Sequence, residues 1–321
     1  MVGYSGIKTS LVVFAIFLIV IGVALSVASG EDILVQINRL SWQEISVLLG
    51  LSLVNYGLRA GRWMLYTRAL GVFGGVGASL RHYIGGFALT MTPARLGELV
   101  RLRWVTRESG VAAEAIGPLI LVDRAGDLAS TGLLLAFALA MGASGVAGAM
   151  PVAVIAVFAA VLATRPRLFQ ATVTFFWRLT GYQPRLFVRL RRAARALTPF
   201  SSPVVVIPAL VAGVFGWFAE GYAFYLLLDW LGAGLPLWTC VSIFLFSMMT
   251  GGATGAPGGV GGAEAAMIAL LSLQGVPLDV SIPATAVIRI TTLWLAIGLG
   301  ALVFPFAEGI AARTKHALEK G

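Results

Sequence analysis

Residues 230–263 read WLGAGLPLWTCVSIFLFSMMTGGATGAPGGVGGA, a run without a single Asp, Glu, Lys or Arg. It is longer than the roughly 20 apolar residues that cross about 30 Å of hydrocarbon. It is not one clean span, because glycines crowd its second half and Pro257 interrupts it. Backbone broken in this way is tolerated at membrane depth only where protein or a water-filled cavity completes its hydrogen bonds. The stretch, taken over roughly 236–275, therefore reads as a re-entrant helical hairpin with its tip at the proline.

Residues 9–30, 128–164, 196–219 and 290–307 are also free of Asp, Glu, Lys and Arg. Across all 321 residues, 59% are hydrophobic and 12% charged. A soluble domain carries about 25% charged residues, so this chain cannot cover a water-facing surface. One cysteine, Cys240, excludes a disulfide framework and a thiolate metal site. Two histidines, His82 and His316, argue against a histidine-based metal or general-base site. Soluble oxidoreductases, nucleotide-binding domains and disulfide-rich secreted proteins are all excluded. The first run, followed by Glu31 and Asp32 and lacking a strong small-residue cleavage pattern, reads as a retained span rather than a signal peptide. The expectation is an all-α polytopic membrane protein with about six spans, near 9–29, 43–60, 114–140, 146–164, 204–228 and 280–304.

Basic residues orient such a chain. Twenty of the 23 Lys and Arg fall in Lys8, Arg59–Arg81, Arg95–Arg107, Arg165–Arg195 and Arg313–Lys320. These alternate with loops that hold only Arg39, so both termini are expected in the cytoplasm. The net charge of +9 is then a topological signal and not a nucleic-acid footprint. The Arg185–Arg195 cluster suits either anionic lipid head groups or plain solvent.

A second broken stretch, near 72–105, contains Thr92-Pro-Ala-Arg-Leu-Gly-Glu98; the first contains Ala256-Pro-Gly-Gly-Val-Gly-Gly-Ala-Glu264. Each has a glycine four residues after its proline and a glutamate within three more. Downstream, Pro118 and Arg124 follow Pro93 much as Pro283 and Arg289 follow Pro257. With six spans the two hairpins face opposite sides. The plan is an inverted-topology repeat, which is a transporter signature with sites where broken segments meet near the midplane. The chain is expected to form one integral membrane domain over 1–321. Its halves are 1–142 and 143–312, with a basic cytoplasmic loop at 165–200 and a cytoplasmic tail at 313–321.

A charge at the bilayer centre costs about 2.5–3.5 kcal/mol even on insertion scales, so it needs a partner or a function. Glu98, Asp123, Arg124, Asp127, Glu264 and Arg289 are the candidates. Asp123 and Asp127 share a helical face, and Glu98 and Glu264 are expected to face the arginines across a central cavity. Helix starts after Pro93 and Pro257 would offer free N–H groups, and Gly258, Gly259 and Gly261 allow close approach of a ligand. Arg95, Arg101, Arg124 and Arg289 add bidentate donors suited to phosphate. A lipid head group with its tails left in the bilayer fits this demand. The competing reading is a set of buried ion pairs that only lock the hairpins. Trp42, Trp63, Trp104, Trp230 and Trp238 read as interfacial anchors, and Met248 and Met249 as filler.

The stretch from Phe87 to Arg101 and the Ala256–Glu264 motif, followed by Gln274-Gly-Val-Pro, Arg289 and Trp294, together resemble the two signatures of the lysylphosphatidylglycerol synthase transmembrane family. The resemblance covers nearly the whole chain. It implies a multi-span domain in a bacterial cell (inner) membrane, whose best-known members translocate aminoacylated phosphatidylglycerol; relatives are associated with hopanoid, glycolipid or polyprenyl-linked sugar pathways. The sequence ends at Gly321 without the soluble acyltransferase-like domain, so synthesis of the lysyl lipid is not expected. The leading expectation is a flippase or scramblase for an anionic or zwitterionic phospholipid or glycolipid. It needs no cofactor, and its partners are a lipid with a phosphate-containing head group, further copies of the chain, or a separate lipid-modifying enzyme. Two alternatives stand: an integral-membrane transferase using Asp123 and Asp127 to hold Mg²⁺, and an accessory subunit of a lipid-modifying complex.

Overall fold

The computed structural model describes residues 40–92, 96–142, 148–180 and 195–318. Among these residues the chain is helical without a strand. The first expected span, Pro93, Arg95 and the 185–192 arginines lie outside them.

Helix α1 (Trp42–Ala69) starts at a capping box, in which the Ser41 hydroxyl accepts from the Glu44 N–H and the Glu44 carboxylate accepts from the Ser41 N–H. Helices α2 (Val76–Gly86) and α3 (Leu96–Ser109) form the two limbs of the first hairpin, with a 3₁₀ turn at Phe87–Leu89. A single turn at Ala113–Ile116 leads to α4 (Pro118–Ala140), whose proline occupies a first-turn position where no N–H is missed. Helices α5 (Ala149–Thr164) and α6 (Pro166–Thr180) follow. The second half contains α7 (Pro203–Trp230), then α8 (Leu237–Ala253) and α9 (Gly262–Leu273) as limbs of the second hairpin. It closes with α10 (Leu278–Arg289), a π-helical turn at Ile290–Trp294, and α11 (Leu295–Leu318).

Five of the six expected spans therefore coincide with helices. In the first hairpin the described residues leave the helix at 90–92, and in the second α8 and α9 are separated at 254–261, where Pro257 and the glycines cannot continue a helix. Within the stretch at 165–200, α6 covers Pro166–Thr180, with Leu168, Phe175 and Trp177 exposed.

Packing between the halves is reciprocal. Helices α1 and α7 lie against each other. The first hairpin rests on α11, which follows the second hairpin, while α8 of the second hairpin rests on α4, which follows the first. Glycine makes the limbs close. A Cβ at Gly97 would collide with the Gly86 carbonyl, and one at Gly251 would stand 2.6 Å from the Ala263 Cβ.

The distribution of polarity is inverted relative to a water-soluble fold. Val154, Ile155 and Phe158 on α5, Val204, Ile207 and Phe215 on α7, and Leu302 and Phe306 on α11 are all exposed. Arg62, Arg101, Asp123, Asp127, Glu220 and Arg289 are buried. Scattered apolar surface is ordinary, but belts of this kind mark contact with another apolar phase. Helices α7 and Leu278–Thr314, which runs from α10 into α11, are each long and apolar enough to cross a membrane.

The candidate site at the meeting of the two hairpins

A cavity of about 190 Å³ opens where the hairpin interruptions converge. Of the residues singled out from sequence, Glu98, Arg101, Arg124, Asp127, Gly258, Gly259 and Arg289 line it. Asp123, Pro257, Gly261 and Glu264 are not among its lining residues. Arg59, Tyr56, Trp217, Glu220, Met248 and Thr292 also face the cavity and were not foreseen.

One wall is a charge network built across three elements. Arg62 of α1 is fully buried and donates to both aspartates of α4, at 2.7 Å to Asp123 Oδ1 and 2.6 Å to Asp127 Oδ1. Arg59, one turn earlier, donates to Asp127 Oδ2 at 2.6 Å. From α3, Arg101 reaches Asp123 Oδ2 at 3.4 Å. Its guanidinium centre lies 4.4 Å from the Tyr83 ring centroid and 5.7 Å from that of Trp63, contacts that fix its plane. Arg124 pairs with Glu98 and lies 3.5 Å from Asp127 Oδ2. The carboxylates do not use every donor. The Nε–H groups of Arg59, Arg101 and Arg124 have no hydrogen-bond partner among the described residues.

The opposite wall belongs to the second hairpin. Arg289 donates from Nε to Glu264 Oε1 at 2.5 Å and from Nη2 to the Gly258 carbonyl at 3.0 Å, while Nη1 lies 3.5 Å from the Met248 sulfur. Glu264 also accepts the Gly261 N–H at 2.6 Å. This changes the expectation for the helix start after Pro257. Pro257–Gly259 is a 3₁₀ turn, α9 begins only at Gly262, and the leading N–H is occupied by a carboxylate of the chain itself. The glutamates touch their arginines directly rather than across the cavity: Glu98 pairs with Arg124 and Glu264 with Arg289.

The π-helical turn after Arg289 sits at the cavity edge. Such a turn leaves a carbonyl without its usual helical partner, and the Tyr56 hydroxyl donates to the Thr292 carbonyl. Trp63 and Trp104 are completely buried, so they are not interfacial anchors. Trp63 packs beneath Arg101, and the Trp104 indole N–H donates to Glu308 at 2.9 Å. Trp42, at 83% exposure, remains compatible with an interfacial place. Met248 is cavity lining rather than filler.

Arg59 and Arg62 count with the loops in a topology read from sequence, which hides half the network. A usable signal was present. Asn55, Arg59 and Arg62 share one face of α1, and Asp123 and Asp127 share one face of α4. Asp123 and Asp127 turn their oxygens to these arginines. Among the described residues, no group of three or more His, Cys, Asp or Glu side chains is arranged to hold a metal ion.

No curated protein matches this chain. Over residues 10–300 it matches the family described as the lysylphosphatidylglycerol synthase TM region. That span includes both hairpins and every residue of the cavity, and the chain belongs to this family of multi-pass membrane proteins.

Proposed function

We propose that the chain moves a phosphate-bearing lipid between leaflets, with the cavity between the hairpins holding the head group during passage. The observation that carries this reading is a cavity lined by Arg59, Arg101, Arg124 and Arg289, inside a bundle whose outer belts are apolar. A polar cavity within an apolar exterior suits an amphipathic ligand whose tails stay in hydrocarbon. Arg101, Arg59 and Arg124 are the phosphate donors in this reading, since guanidinium groups recognise phosphate directionally. Arg289, with all three nitrogens already occupied by the second hairpin, holds that wall in place instead. The two hairpins are read as re-entrant, in halves of opposite orientation; their reciprocal packing supports this. Both termini are then cytoplasmic, and the chain acts as a transporter rather than as an enzyme.

The test is translocation of fluorescent phosphatidylglycerol in vesicles reconstituted with the purified protein. Added dithionite should bleach well beyond the outer-leaflet pool in wild-type vesicles, because inner-leaflet lipid is brought to it, and stop at that pool in protein-free ones. Arg124→Ala should slow it by about tenfold or more, the scale of one lost charge-assisted hydrogen bond. Wild-type vesicles no faster than empty ones would overturn the reading.

A further inference from the structure

The cavity holds one carboxylate that the phosphate-binding scheme does not use. Glu220 sits in α7, is 6% exposed and lines the cavity. Glu98, Asp123, Asp127 and Glu264 each pair with an arginine. Among the described residues, Glu220 pairs with none; its hydrogen-bond partner is the neutral Asn55, whose Nδ2 donates to Oε1 at 2.5 Å. Asn55 is itself fully buried, and its Oδ1 has no partner. Gly216, one turn before Glu220, makes this approach possible, since a Cβ there would stand 2.8 Å from Asn55 Oδ1.

The choice of partner has a chemical consequence. An arginine can only donate, so it holds a carboxylate in its charged form. A primary amide carries both a donor and an acceptor. Asn55 can donate to a charged Glu220 through Nδ2, or accept from a protonated Glu220 through Oδ1 after its amide rotates. An uncompensated carboxylate in an apolar interior is costly, and gaining a proton removes that cost. The charged or titratable groups around it are Tyr56 and Arg59 from α1, Asp127 from α4 and Arg289 from α10; α8 brings only Cys240, outside the cavity lining. Arg59, Asp127 and Arg289 are engaged elsewhere by ion pairs.

We propose that Glu220 is a proton-binding site that couples lipid movement to a transmembrane proton gradient, an inference that rests on the transport reading above. In the cycle, cavity water on the acidic side gives a proton to the Glu220 carboxylate, and the neutral acid later returns it to water on the alkaline side. No other bond forms or breaks. The site is then neutral in one half of the cycle and charged in the other.

Two measurements test this separately. Infrared difference spectra of the purified protein, recorded while the pH is stepped, should show a carboxylic-acid C=O band that is absent in Glu220→Gln. In Asn55→Leu the band should move to higher frequency, as expected for a carboxylic acid that has lost its hydrogen-bond partner. No titrating band in wild type, or an undiminished band in Glu220→Gln, overturns the assignment whatever the transport result. In vesicles with fluorescent phosphatidylglycerol, a one-unit pH gradient should build a leaflet asymmetry of up to about tenfold for one proton per lipid, since a pH unit is a tenfold ratio of proton activity. A protonophore should collapse it, and Glu220→Gln should show none. Translocation that ignores the gradient overturns the coupling. Absence of translocation in wild type at any pH overturns the transport reading instead, and the infrared band still decides the proton site.

Discussion

Glu98 with Arg124 and Glu264 with Arg289 are the same residue types at nearly the same separation, 26 and 25 positions along the chain. Both glutamates open the second limb of a hairpin, and both arginines stand on the helix that follows. Their surroundings differ. Arg124, with its side chain 35% exposed, faces the cavity and shares Asp127 with Arg59 and Arg62. Arg289, with its side chain 7% exposed, is committed to one carboxylate, one carbonyl and one sulfur of its own hairpin. One pair of a related design leaves its arginine a third exposed at the cavity, and the other fixes backbone. What separates them is the aspartate face of α4 and the arginine face of α1, for which the second half has only Glu220 and Asn55.

The largest effect that would break this comparison falls on the network itself. Arg62→Ala leaves Asp123 and Asp127 in the interior with their principal cation gone. Removing one member of a buried pair costs about 3–5 kcal/mol. Thermal unfolding in detergent, followed by tryptophan fluorescence, should show a large loss of stability. A small loss would mean that water reaches these carboxylates.

Arg289→Ala should cost less, about 1–3 kcal/mol, because Glu264 retains 26% side-chain exposure and its Gly261 bond. Replacing both members, as Glu264→Gln with Arg289→Leu, should recover part of that loss, since removing both charges of a pair is tolerated better than orphaning one. Arg124→Ala orphans Glu98, whose side chain is 14% exposed, so its stability cost should match that of Arg289→Ala, while it alone slows translocation. Transport loss confined to the first half is the contrast to measure. Equal effects on both readouts for Arg124 and Arg289 would erase it.

How much of this was legible beforehand follows the same divide. The helices were readable because apolar runs of membrane length have few alternatives, and the hairpins because Pro257 and its glycines cannot continue a helix. The pairing of each glutamate with an arginine was readable as residue types in register. It was not readable as geometry: sequence offsets do not say whether Glu264 reaches across a cavity or down its own hairpin. Arg59 and Arg62 were missed because a positive charge near a span boundary counts as loop by default, and only the opposing Asp123 and Asp127 draw them inside. Glu220 was missed because one glutamate in an apolar helix has no sequence partner; Asn55 lies 165 residues away.

The smallest effect tests whether the two hairpins touch where it matters. Gly255 and Gly258 both have positive φ, at 70° and 63°. Alanine in that region costs about 1–2 kcal/mol through its Cβ. Around Gly255 the space is open, so Gly255→Ala should show that cost alone. At Gly258 the new Cβ would also lie 2.5 Å from the sulfur of Met91, in the interruption of the first hairpin. Methionine yields easily, so the added destabilisation should be under about 1 kcal/mol, and Gly258→Ala with Met91→Ala should fall back to the Gly255→Ala value. Transport should follow the contact rather than the backbone cost: slowed in Gly258→Ala and restored when Met91 is shortened. If Gly255→Ala and Gly258→Ala are equal in both stability and rate, the hairpins act independently, and the contrast between their arginines reflects local packing alone.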